Sequence, residues 1–405
     1  MRITDMQLTD TASGRRASAV IIWEDNERPS QEIFFEVEKP FSAWISANPH
    51  AFLVAAIIPA FHHQEKRVVI DADICPRLTT GLNTVMAWLR YWFYDQDKAL
   101  VQIEARGERV SPPKPARAGL FFSGGVDSFA ALQINRLYYS RLHPDSFRNV
   151  LMIYGQNIES DTRRETFRQA VHMLSEVVAE KDATLVPVHT NIRSLETGSR
   201  FFLYEFQGAI MASVAHALAA RLSSAAIASS DNMVGLRPYG SHPLLDPHYG
   251  SADLWIDHTD MALTRLDKMK HLADWPSGVQ SIRVCGANWP GANCGHCEKC
   301  VRTMLELLVV GALAINDAFP DDDVSAELVL SAVQIDSTVD AYYQEMLAPL
   351  LAMGRSDLAQ VIQGKLDQFV ERQKRAHSRV KIKQLDEKYL HGNLSRLYRT
   401  FKVIG

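Results

Sequence analysis

The stretch Ser123-Gly124-Gly125-Val126-Asp127-Ser128 carries the clearest chemistry in the chain. It follows an apolar run, Ala118 to Phe122, that reads as a buried strand. It opens a segment whose apolar residues Ala130, Ile134 and Leu137 have helical spacing. A strand, a Ser/Gly turn and a helix start together form a cradle for pyrophosphate. Glycines let the backbone approach the ligand, and the first N–H groups of the helix point at the anion. Ser123 and Ser128 add hydroxyl donors. Asp127 repels phosphate directly, so its expected role is to hold a Mg2+ ion bridging phosphate oxygens.

A second constellation lies further on. Four of the five cysteines fall within sixteen residues: Cys285, Cys294, Cys297 and Cys300, spaced C-x8-C-x2-C-x2-C. Four thiolates this close suit a tetrahedral Zn2+ knuckle, with Gly295 relieving the C-x-x-C turn and Lys299 and Arg302 offsetting negative charge. An iron–sulfur cluster is the competing reading, because thiolates hold both. Disulfides fit poorly in a chain otherwise poor in cysteine and without an export signal. His296 reads as a surface residue, since four cysteines fill a tetrahedron. Cys75 stands alone and reads as structural.

The loop spelling resembles that of the PP-loop ATP pyrophosphatases, and the Walker A pattern is absent. The resemblance implies binding of ATP and cleavage between its α and β phosphates. A substrate is adenylated, pyrophosphate leaves, and a nucleophile then displaces AMP. Within that family, the loop followed by the cysteine pattern resembles 7-cyano-7-deazaguanine synthase. That likeness implies activation of 7-carboxy-7-deazaguanine and structural zinc on the four cysteines. Tyr154-Gly155-Gln156, after the next strand, matches the family's Tyr-Gly-Gln. Thr264-Arg265 sits where the family has a Thr-Lys pair that reaches phosphates, and Arg265 can do so bidentately. The residues assigned to ATP by this resemblance are Ser123, Gly124, Gly125, Val126, Asp127, Ser128, Tyr154, Gly155 and Gln156. Ser123, Asp127, Ser128 and Arg265 are the expected catalytic set.

Departures from the family pattern fall on the substrate side. Asn157-Ile158 replaces an Arg-His, and Pro238 to Pro247 replaces a Gly-Tyr-Pro-Asp region. The likeness spans about residues 116–310. The chain also resembles long, divergent relatives of the synthase found in bacterial anti-phage defence gene clusters, which implies a defence role. Four other residues invite a role: His189 at a strand end, Tyr239 as a stacking platform, and His242 and Asp246, which are either substrate contacts or solvated loop residues.

Around these motifs the pattern is α/β. Ala118–Phe122, Val150–Tyr154, Leu185–His189 and Ala225–Ser229 read as strands separated by helical stretches at 161–180 and 200–221. That alternation predicts a parallel sheet with helices on both faces and ligands beyond its carboxyl ends. Residues 1–110 read as a separate α/β domain with strands at 19–23, 32–37, 68–71 and 101–104. Ser111 to Pro115 reads as a stiff boundary, 116–310 as the ATP-binding domain, and 311–405 as a helical extension.

At 405 residues, 47% hydrophobic and 22% charged, the chain has globular composition and room for a large core. Net charge of -4 and pI near 6.4 argue against strong nonspecific nucleic-acid binding. Leu307 to Ile315 is apolar but too short to cross a bilayer, so a cytoplasmic location away from membranes is expected.

The leading expectation is therefore an AMP-forming ligase acting on a deazaguanine-like carboxylate. Its acceptor is ammonia, giving an amide and then a nitrile, or an amine on a partner protein. A tRNA-modifying sulfur transferase with a cysteine-bound metal is the alternative. A non-catalytic binding module is a third reading. Residues 1–110 are expected to form a homodimer interface, recruit a partner, or close over the site.

Overall fold

The computed structural model describes residues 1–110, 114–155, 161–286 and 291–390. The elements run in the order β1 (Arg2–Asp10), β2 (Gly14–Ile22), β3 (Gln31–Glu38), α1 (Pro49–His62), β4 (Arg67–Ile74), α2 (Pro76–Phe93) and β5 (Gln102–Glu108). They continue with β6 (Ala118–Phe121), α3 (Val126–Tyr138), β7 (Asn149–Tyr154), α4 (Asp161–Ala179), β8 (Thr184–Thr190) and α5 (Ser199–Phe201). A π-turn at Phe202–Phe206 leads into α6 (Gln207–Ala217), β9 (Ser224–Ala228), β10 (Trp255–Thr259), α7 (Arg265–Ala273) and α8 (Pro276–Gln280). Four further helices are α9 (Glu298–Val309), α10 (Ala326–Ala332), α11 (Asp340–Ala352) and α12 (Ser356–Leu390).

All ten strands join one sheet in the order β10-β9-β6-β7-β8-β3-β2-β1-β4-β5. From β10 to β8 every pair is parallel. β8, β3, β2 and β1 then pair antiparallel, and β1, β4 and β5 pair parallel. The class is α/β with a mostly parallel sheet. β6 and β7 are buried at every residue, as expected of strands covered on both faces. Helices begin where the sequence supplies an entry. Asn48 caps α1 through its side chain with Pro49 in the first turn, and Pro76 opens α2.

The chain folds as two compact units, residues 1–294 with 315–320, and residues 295–314 with 321–405. In the first unit, strands from residues 1–110 and strands from 118 onward share the sheet. The seam is β3 on β8, with Phe35 opposite Thr190 and Val37 opposite Val188. Thr190 Oγ1 also donates to Phe34 O at 2.7 Å. A continuous core runs under this seam, from Ile21, Phe35 and Phe52 to Val186, Ala215 and Ile227. Most of the stretch from Ser111 to Pro115, expected as a boundary, lies outside the described residues. The second unit is helical among its described residues, with Met304, Tyr343, Leu350 and Ile362 fully buried. Tyr343 Oη donates to Glu298 at 3.0 Å. No described helix is long and apolar enough to cross a membrane.

Candidate functional site

Within the parallel half, the chain passes from β6 through α3 to β7 and β8 on one side, then returns to β9 and β10 on the other. The order of strands reverses between β6 and β9. In open α/β sheets a crevice forms there, outside the carboxyl ends of the strands. Ser123 to Ser128 leaves β6 at that point and starts α3. Gly124 has φ +76°, a left-handed conformation that glycine adopts without strain. A Cβ added to it would stand 3.2 Å from Leu174 Cδ1. Gly125 N–H donates to Ser123 Oγ at 3.2 Å. Ser128 Oγ donates to Gly125 O at 3.0 Å and accepts from Ser123 N–H at 3.3 Å. Both serines hold the turn open from within. Val126 is buried and anchors the first turn of α3, whose leading N–H groups lack intrahelical partners.

Asp127 faces the opposite bank. Arg265 Nη1 lies 2.9 Å from Asp127 Oδ2, and Lys268 Nζ lies 3.7 Å from Oδ1. Lys268 is fully buried and also donates to the carbonyl of Ser229, just past β9. Ser230 Oγ is 3.5 Å from Asp127 Oδ2. The two cations come from α7, started by a capping box. Thr264 Oγ1 accepts from Asp267 N–H, and Asp267 accepts from Thr264 N–H. Arg265 and Lys268 are three apart, so they share one helix face. Asp260, after β10 and at φ +64°, has its carboxyl held above the ordinary range. Burial is the main cause; Lys268 opposes it and Asp127 adds to it. Arg265 and Lys268 thus share Asp127 as a partner at the start of α3, and Asp260 lies within electrostatic reach of Lys268.

The structure thus brings together Ser123, Gly124, Gly125, Val126, Asp127, Ser128 and Arg265, and adds Lys268. Tyr154 and Gly155 end the neighbouring strand. Tyr154 is buried between Phe167 and His189, with ring centroids at 5.0 and 5.5 Å. Gly155, at φ +104°, turns the chain out of β7. Gln156, Asn157 and Ile158 lie outside the described residues. Burial pushes His189 down to about 4, so at neutral pH it carries no charge. His242 and Asp246 are buried and not solvated. His258 Nδ1 and Ser241 Oγ each lie 2.7 Å from Asp246 Oδ2, and His242 packs on Trp92 of α2 with centroids 4.9 Å apart. Tyr239 sits edge-on to Tyr204 at 5.5 Å.

Cys285, Cys294, Cys297 and Cys300 place their sulfurs within 4.8 Å of one another. Zn–S bonds of about 2.3 Å set tetrahedral edges of about 3.8 Å, so the set needs only a small contraction to take one ion. Asn293 fixes the loop before the cysteine turn. It accepts from Val284 N–H at 2.9 Å and donates to Ile282 O and Ala318 O at 2.9 Å. Gly295 has φ +75°, as the C-x-x-C turn requires. Cys75 is buried at the start of α2, where its N–H donates to His50 Nε2 at 3.0 Å.

Comparison with protein-family models, with curated proteins and with solved structures gives no match.

Proposed function

We propose that the chain is an ATP-dependent, AMP- and pyrophosphate-forming ligase of the PP-loop type. The observation that carries this reading is the pairing of Asp127 with Arg265 and Lys268 at the strand-order reversal, beside a loop built on a left-handed Gly124. A bare Gly-rich turn needs neither a buried lysine nor an arginine aimed at it. Triphosphate oxygens can replace Asp127 as partners of the two cations, and the first N–H groups of α3 are oriented to receive them.

Once phosphate oxygens take over Arg265 and Lys268, the Asp127 carboxylate now paired with them would be the group to hold Mg2+, which would neutralise phosphate charge. A substrate carboxylate oxygen attacks the α-phosphorus. The new P–O bond forms as the bond to the β-phosphate oxygen breaks and pyrophosphate leaves. Arg265 and Lys268 stabilise the charge that develops, and no covalent protein intermediate is required. An amine or ammonia then attacks the acyl carbon and AMP departs. The substrate class that the sequence resemblance favours is 7-carboxy-7-deazaguanine, and the four cysteines are read as a structural Zn2+ site.

The test incubates the full chain with ATP, Mg2+ and 7-carboxy-7-deazaguanine, with and without ammonium, and follows AMP and product masses. AMP that depends on the deazaguanine and disappears in Asp127→Ala supports the proposal. ATP turnover unaffected by Asp127→Ala overturns it.

A further inference from the structure

A second group of metal-ligating side chains lies in the first unit, apart from the cysteines. One ring nitrogen each of His62 and His63 and a carboxylate oxygen of Glu196 lie within 4.8 Å of one another. All three are half-buried and keep some exposure to solvent. His62 ends α1 and His63 follows it. Glu196 comes from the turn after β8.

The surroundings fix how these ligands present themselves. Tyr94 Oη donates its proton to the carboxylate of Glu205, which sits in the π-turn. Its oxygen can then only accept from His62 Nδ1, 2.7 Å away. His62 is therefore the Nδ1–H tautomer, and its Nε2 keeps a lone pair. A carboxylate or hydroxyl that engages the far nitrogen of a histidine is the usual companion of a metal-binding imidazole. Glu196 is oriented in the same way. Arg28 Nη2 reaches Oε2 at 2.8 Å, and Gly198 N–H donates to Oε1 at 2.8 Å. His63 Nε2 lies 2.8 Å from Glu196 Oε2. Tetrahedral ligands at about 2.1 Å from an ion stand about 3.4 Å apart, so the His63–Glu196 pair must open by about 0.6 Å while His62 closes in from within 4.8 Å.

We infer that His62, His63 and Glu196 form a second metal site, a two-histidine, one-carboxylate set for Zn2+ or a similar divalent transition ion. Its outer side is open to water or a ligand. On binding, the contact between His63 Nε2 and Glu196 Oε2 gives way and both atoms turn to the ion. The site is independent of the nucleotide reading and uses none of its residues.

The test loads the full-length protein with one equivalent of Zn2+ to fill the cysteines, then titrates with Co2+. Wild type should show a further equivalent with visible d–d absorption and no thiolate charge-transfer band. His62→Gln and His63→Gln should weaken that binding at least tenfold. Tyr94→Phe keeps the ligands but frees His62 to rotate, and should weaken it by roughly 10- to 100-fold. Melting curves without metal identify any variant that fails to fold. His62, the most exposed ligand, supplies the tolerant substitution. A Co2+ titration that is the same in wild type and His62→Gln, or no further equivalent in wild type, overturns the inference. The cluster would then be an ion-pair network only.

Discussion

Asp127 and Arg265 stand 138 residues apart in the chain and 2.9 Å apart in space. Each lies in the first turn of a helix, α3 and α7, and the two helix starts meet through this pair. Lys268 enters from the same side as Arg265 and is sealed from solvent. Removing a member of this cluster should show both in chemistry and in stability.

Lys268→Met keeps the aliphatic stem and removes the charge. If the ammonium stabilises a transferring phosphate, AMP formation should fall by roughly 10²- to 10³-fold. Steady-state kinetics with the melting temperature recorded alongside separates that loss from unfolding. An unchanged rate in a folded variant removes Lys268 from the proposed chemistry.

Asp127→Ala leaves Arg265 and Lys268 without their carboxylate. The expected cost is on the order of 2 kcal/mol, read by denaturant titration. Added ATP or pyrophosphate should restore part of the lost stability, because phosphate can replace the carboxylate.

Gly124→Ala places a side chain at φ +76° and 3.2 Å from Leu174. Strain of about 1–2 kcal/mol follows from the left-handed backbone alone. Weaker nucleotide binding should accompany it. Gly364, where an added Cβ meets nothing within 4 Å among the described residues, serves as the control position.

His50 and His216 provide a pH prediction away from the site. They meet edge to face inside the first unit, with centroids 5.4 Å apart. Burial pushes His50 down to about 3 and His216 down to about 4. Both stay neutral in the fold, while an unfolded histidine protonates near 6.5. Between pH 6.5 and 4 the unfolded chain binds more protons, so stability falls as pH falls. At pH 5 the loss should be about 2 kcal/mol for each histidine. Melting temperatures between pH 7.5 and 5 test this, and His50→Gln should flatten the dependence. An equal slope in wild type and variant would discard the assignment.

Cys297→Ser should abolish tight binding of one Zn2+ and lower the melting temperature. A strong chelator should reproduce the drop in wild type and lower the variant's melting temperature by less.

Much of the parallel half was legible because its strands are continuous apolar runs between helical patterns. Ala118 to Phe122 and Val150 to Tyr154 match β6 and β7 to within a residue. β1 and β10 gave no such signal. β1 is exposed at most positions, and β10 is a five-residue edge strand reading Trp-Ile-Asp-His-Thr. Their partners, not their own patterns, make them strands. The loop and the four cysteines were visible because neighbouring residues carry them. Lys268 was missed because its role depends on a contact far away in sequence. A local cue existed, since Thr264-x-x-Asp267 is a capping box that aligns positions 265 and 268. The packing of His242 against Trp92 has no local cue, because α2 comes from the other end of the sheet.

The seam between β3 and β8 also sets a timetable. Phe34 meets Thr190 across 156 residues of chain. At roughly 5–20 residues per second, a ribosome needs on the order of ten to thirty seconds to deliver β8 after β3 has emerged. During that interval the first three strands present an unpaired apolar edge, Ile33-Phe35-Val37, whose side chains end fully buried. The nascent protein is most exposed to wrong pairing early in synthesis, well before the residues proposed to bind nucleotide are complete.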